Sequence, residues 1–537
     1  MRKKNRALGL HEPLRHLDHP RPRTRRDFLA QSFMTGAATV IGPSLLGALA
    51  PGEVRAQPQT DITGCKITTG AGTIPFICFD LAGGGNIAGS NVLVGGPHGQ
   101  LDFLSVAGYN KLGLPGTMVP SSSASGSFVD ASFGLRYHTD SAHLRGMKMR
   151  ASAQAMAGTT GSVIPALSQN DTNVNPHNPM YAIYQYGARG ALLNLIGSQN
   201  SISGGNSMAP PSMVIAAAQP SKISSPADTA GLVSTGQLST LLPNASDVTN
   251  VMEAMKVISD AKYSTVQAYA DTSLSGPNAA ALGQYGIAPC AYTKATYIVN
   301  KYNNPGSVNP ALDPNIVGSG GIFSTAEFQS NSDFQKTASV MKLVIDGNAA
   351  AGTIEMDGFD YHTGDRATGE TRDFNLGNCI GAVLEYAKRV SKPVMIYVFS
   401  DGSLASNGMI DNSAAGRGKC VWTADNQSVA ATYFLVYNPN GKAVSAQSNP
   451  ELSLQIGNFN PDGSINTTGS PGGNNVFNLV QMVVLNYIAL HEADAPTAFA
   501  NLYPAAAGNN TLGAGSGLTP LIAYQPLAGL QNGRIVG

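Results

Sequence analysis

The side chains best suited to chemistry in this 537-residue chain are acids that stand directly after apolar runs. Asp80 follows the run IPFICF at 74–79. Asp357, Asp360 and His362 follow GTIEM at 352–356, and Asp401 comes one residue after PVMIYVF at 393–399. Carboxylates gathered in one place repel one another and raise each other's pKa unless a cation neutralises them. Acids that converge with an imidazole would therefore make a divalent-cation site. Each acid also has a second use as the cap of a helix that follows its strand, since Asp is a preferred N-cap. The five cysteines, Cys65, Cys78, Cys290, Cys379 and Cys420, are spaced too irregularly for a metal pattern; an oxidising compartment would allow a disulfide between some pair of them.

For these acids to meet, the elements that carry them must end on one edge. In open α/β sheets that edge is the carboxyl end of parallel strands, outside which ligands bind. The three apolar runs read as buried strands, with SMVIA at 212–216 and TYFLVY at 432–437 as further candidates. Leu376, Cys379, Ile380, Val383, Leu384, Ala387 and Val390 recur at three-and-four spacing, which predicts a helix over 374–390 between two of the strands. Strand, helix, strand implies a parallel crossover. The expected fold is α/β, a mostly parallel central sheet flanked by helices. A more helical insertion is expected at about 225–345, where Val248, Val251, Met252, Met255 and Ile258 share a face; residues 477–491 return to helical spacing. No linker is long or charged enough to divide 57–537, which reads as one large domain.

Composition narrows the function. Only 12% of the chain is charged, against about 25% in ordinary globular proteins, and 33 Lys+Arg balance 33 Asp+Glu. That excludes a coiled coil, and without a basic surplus nucleic acid is not an expected partner. Ten of the basic residues fall within 1–56, where Thr24-Arg25-Arg26-Asp27-Phe28-Leu29 has the form of a twin-arginine export signal. A weakly apolar stretch over 28–50 and the small-residue site Val54-Arg55-Ala56 complete it, so the mature chain is expected to begin near Gln57. No later window has the apolar length of a membrane span.

Four motifs stand out along the chain: FDLAGGGNIAGSN at 79–91, GFDYH at 358–362, Phe399-Ser400-Asp401 and Thr423-Ala424-Asp425-Asn426. In these the chain resembles a twin-arginine-exported family of unknown function within the alkaline phosphatase and sulfatase superfamily. Phe133-Gly134-Leu135 with His138, and Asn175-Pro176-His177, fall where that family has further motifs. The resemblance implies an alkaline-phosphatase-like fold and a metal set of Asp80, Asp360, His362, Asp401 and Asp425. It also implies a nucleophile near the first strand, for which Ser90 is the nearest residue; a turn residue is the commoner role for a serine set among glycines as Ser90 is.

The chain departs from the family pattern as well. The acidic residue of the glycine turn is missing, Gly402-Ser403 replaces a Phe-Gly-Arg, and Asn426 stands where a histidine would ligate. The remaining set suits one calcium- or magnesium-like ion better than a pair of zincs. His177 is expected to stand behind the ligands, His138 and His143 outside the site, and Trp422 in the core. Two functions follow: a catalytically degraded member that serves in binding or assembly outside the cytoplasm, with a small molecule or protein as partner, or a metal-dependent hydrolase of phosphate or sulfate esters. Replacing Arg25 and Arg26 by Lys should retain the chain in the cytoplasm, as cell fractionation would show; continued export would refute the signal.

Overall fold

The computed structural model describes residues 72–120, 128–168, 175–233, 307–531 and 534–535. The export signal, Cys65, Cys290 and the helix expected at 248–258 lie outside the described residues.

Seven strands form the central sheet: β1 (Phe76–Leu81), β2 (Thr159–Pro165), β3 (Leu193–Gly197), β4 (Ser221–Lys222), β5 (Ala349–Met356), β6 (Val394–Ser400) and β7 (Ala431–Tyr437). Their spatial order is β2-β7-β6-β1-β5-β3-β4. Strands β6, β1, β5, β3 and β4 are parallel, while β7 runs antiparallel to both β6 and β2. The molecule is thus α/β with a mostly parallel, mixed sheet. Strands β1, β5, β6 and β7 are buried along their whole length, which is why they read as near-continuous apolar runs rather than alternating ones.

Helices cover both faces. Phe76, Cys78, Tyr397, Phe399 and Phe434 point into a core shared with α2 (Met180–Tyr186) and α5 (Val476–Ala489). Helices α3 (Ser332–Ile345) and α4 (Ala367–Arg389) pack on the other side, with α1 (Ala142–Arg150) against α4. Asn331 and Asn475 cap α3 and α5 through their side-chain carbonyls. Asp365 Oδ1 accepts from Ala367 N at 2.7 Å and so closes the first turn of α4, whose last turn carries Lys388 and Arg389.

One reading of the sequence changes here. Residues 212–216 are not a strand: the chain forms 3-10 turns at Pro211–Met213 and Ala216–Ala218, because two consecutive prolines remove backbone donors and fix φ. Strand β2 contains Gly161 and Pro165, which argue against a strand, and it forms because it lies at the sheet edge, where proline is tolerated. The described part of 225–345 is helical at Pro226–Leu232, Thr325–Ser330 and Ser332–Ile345. Cys78, Cys379 and Cys420 are buried free thiols.

Helices α1 and α4 cross with almost no side chain between them. A Cβ on Gly146 would lie 2.2 Å from Phe374 O, and one on Gly377 would lie 2.3 Å from His143 O. Backbone on both sides cannot yield as a flexible side chain can. Gly377→Val should therefore cost on the order of 3 kcal/mol in urea unfolding, through forced separation of the helices; an unchanged midpoint would show that the crossing relaxes freely.

Candidate functional site

The carboxyl edge of the sheet is organised around the turn that leaves β1. Gly83 adopts φ +110°, and a Cβ there would lie 2.9 Å from Cβ of Asp360. Its N–H donates to Asp401 Oδ1 at 2.9 Å, and the N–H of Gly85 donates to Ser400 Oγ at 2.8 Å. Ser400 in turn donates to Leu81 O at 2.8 Å. The Ser400-Asp401 pair at the end of β6 thus stitches down the glycine turn, and the segment after β5 lies directly over it.

Among the described residues, one group of three His, Cys, Asp or Glu side chains converges as a cation would require: Asp360, His362 and Asp425, with their ligand atoms all within 4.8 Å of one another. His362 Nε2 is 2.8 Å from Asp360 Oδ1 and 3.6 Å from Asp425 Oδ2. All three reach solvent, Asp360 at 51%, His362 at 32% and Asp425 at 36% side-chain exposure. Asp425 is delivered by a short ribbon in which Ala424–Asp425 pairs antiparallel with Leu404–Ala405. The ribbon is tied to the first segment by Gly364 N donating to Trp422 O at 2.9 Å, and Trp422 is buried against the Arg366 guanidinium, 4.6 Å from its ring. With its proton on Nε2, His362 donates to Asp360. With that proton on Nδ1, two carboxylate oxygens and one imidazole lone pair face a single point, a donor set that fits one divalent cation.

Asp80 and Asp401 do not join this group of three, and both are fully buried. Asp80 accepts from Ser207 N at 2.8 Å and from Ser207 Oγ at 3.0 Å. Asp401 accepts from Gly83 and, through Oδ2, from Asn206 Nδ2 at 2.6 Å. Burial, and then the neighbouring Asp401 charge, push the Asp80 carboxyl up to about 8. These acids accept from backbone, hydroxyl and amide donors of the loops above the sheet, and their burial distinguishes them from the exposed three.

Ser90 is fully buried and donates to Asn86 Oδ1 at 2.8 Å. A nucleophile needs access and an adjacent base, and among the described residues no histidine or carboxylate meets its hydroxyl. Asn426 uses its side-chain carbonyl to cap the turn Gln427–Val429, accepting from Ser428 N at 3.0 Å. His177 is fully buried and stacked on Phe399 at 5.9 Å with both ring nitrogens unpartnered, and burial lowers its pKa to about 4. His138 bonds Met118 O at 2.9 Å, and His143 sits 3.5 Å from Asp373 in the interior; neither is at the surface. Tyr361 and Asp373 were missed from the sequence. The only signal for Tyr361 was the in-out alternation of Phe359-Asp360-Tyr361-His362, too short to read as a strand.

Asp80 links stability to pH. Its carboxyl ionises near 3.8 when exposed and near 8 when folded. The stability it lends is complete below about pH 4, is drawn down as the pH rises, and is gone above about pH 8. Asp80→Asn should therefore lose less stability than the wild type between pH 5 and pH 8.5 in chemical denaturation; parallel pH profiles would show that Asp80 is not the neutral buried acid.

No protein-family model matches the chain, and no curated protein matches it.

Proposed function

We propose that the chain is an exported, alkaline-phosphatase-like protein that binds one divalent cation and acts in binding or assembly rather than in ester hydrolysis. The observation that carries this reading is the convergence of Asp360, His362 and Asp425 at the open carboxyl edge of a mostly parallel sheet. The twin-arginine motif at Arg25-Arg26 supports export, and the motifs at 79–91 and 358–362 support the kinship. Against turnover stands the buried position of Ser90, which removes the nearest nucleophile from the triad.

With Asp80 and Asp401 committed elsewhere, two carboxylates and one imidazole remain. Three protein ligands leave the rest of a cation's coordination shell to water or to a group on a partner. Exposed, few-ligand sites of this kind bind weakly, at about 10⁻⁴ M or higher. One observation favours the hydrolase instead: a three-ligand site open to solvent is also the arrangement in which a catalytic metal polarises a substrate oxygen or activates water.

Calorimetric titration of the mature protein with Ca²⁺, Mg²⁺, Mn²⁺ and Zn²⁺ is expected to show one weak site. His362→Ala and Asp425→Asn should abolish it without loss of fold. Aryl phosphate and sulfate esters should be hydrolysed no faster than background. Rapid turnover that His362→Ala abolishes would establish the hydrolase, and the absence of any cation binding would remove the site.

A further inference from the structure

Along the segment that delivers two of the three candidate ligands, side chains alternate. Asp360 and His362 reach solvent, while Tyr361 between them is 2% exposed. Its phenol oxygen accepts the N–H of Asn86 at 3.1 Å and donates to Asp373 Oδ1 at 3.0 Å. Asp373 is buried on α4, and its other oxygen accepts from Asn91 Nδ2 at 2.7 Å. Asn91 also donates to Asn86 O at 2.8 Å, so the loop after β1 and helix α4 grip one hydroxyl from two sides and are themselves tied together. The phenol has one donor and one acceptor role here, and both are filled. Burial alternates along 359–362, with Phe359 and Tyr361 inside and Asp360 and His362 reaching solvent, and Tyr361 N donates back to Phe359 O at 3.0 Å in a tight turn around Asp360, so pinning Tyr361 inward holds the two side chains that flank it outward.

We infer that Tyr361 is a positioning residue of the cation site, holding Asp360 and His362 toward Asp425 through its bonds to Asp373 and Asn86. It does not touch the cation. Partners that orient metal ligands in this way change affinity by about 10- to 100-fold when removed. The inference rests on the cation-site reading above, yet the tether has its own signature in metal-free protein. His362 Nε2 stands 2.8 Å from Asp360 Oδ1, so the held imidazole keeps its neutral-form proton on Nε2.

The test uses the mature chain with ¹⁵N-labelled histidine, the His362 signals being assigned by their loss in His362→Gln. In the wild type, ring nitrogen shifts at alkaline pH should report the Nε2–H tautomer. In Tyr361→Phe and in Asp373→Asn they should move toward the mixed tautomers of a free imidazole, and Mn²⁺ affinity, read by electron paramagnetic resonance, should fall about 10- to 100-fold. Circular dichroism separates this from unfolding, and Asp373→Asn carries the test if Tyr361→Phe does not fold. Unchanged tautomer and unchanged Mn²⁺ affinity in a folded variant would overturn the tether. A tautomer shift in a protein whose wild type takes up no Mn²⁺ would uphold the tether while refuting the cation site.

Discussion

The arrangement of the sheet's carboxyl edge depends on one close approach, the passage of residues 358–362 over the turn at Gly83. At that point Asp360 lies where a Cβ would be, and on its other bond Gly83 is fastened to Asp401. Three strand ends, those of β1, β5 and β6, are thereby locked into a fixed relation by backbone contact and a few hydrogen bonds. Side chains at this edge inherit their positions from that lock. A residue larger than glycine would have to adopt a strained backbone and displace the segment that carries the candidate ligands.

Solvent exposure then divides the acids into two chemistries. The exposed triad keeps water at its polar atoms, which screens the repulsion between its two carboxylates. The buried pair has no such screening, and it meets the problem by hydrogen bonding to Ser207, Asn206 and Gly83 and by holding a proton at Asp80. Acids that look equivalent after their strands therefore meet opposite environments, one set open to water and the other holding loops over the sheet.

A third group of charges supports the site from beneath. Glu370, in the first turn of α4, accepts from Arg366, Lys419 and Arg145, and all three of those bonds are drawn into the interior or its margin. The network holds the start of α4 against Lys419–Cys420 and Trp422, in the segment that leads into the ribbon bearing Asp425, with the Arg366 guanidinium stacked on Trp422. Removing one partner would leave a buried charge uncompensated, so the network behaves as a unit. In a chain with few charged residues, this many in one place marks where separate segments must be held in register.

How much of this was legible in the sequence follows from what each pattern encodes. Fully buried strands advertise themselves as apolar runs, so β1, β5, β6 and β7 and the long helix before β6 could be located, as could the acids at their ends. The edge strand β2 could not, because its glycine and proline are permitted only by its place in the sheet. That Asp360 and His362 meet Asp425, while Asp80 and Asp401 turn inward, was undetermined, since strand-end position does not say which way a side chain faces after the turn. Contacts decided that: Tyr361 bonded at its tip, Gly83 too close to Asp360 for any side chain, and Ser207 and Asn206 brought from more than a hundred residues away. The chain by itself thus determined which segments are apolar enough to be buried, whereas the choice of which polar groups share an environment is a property of long-range packing that local order does not encode.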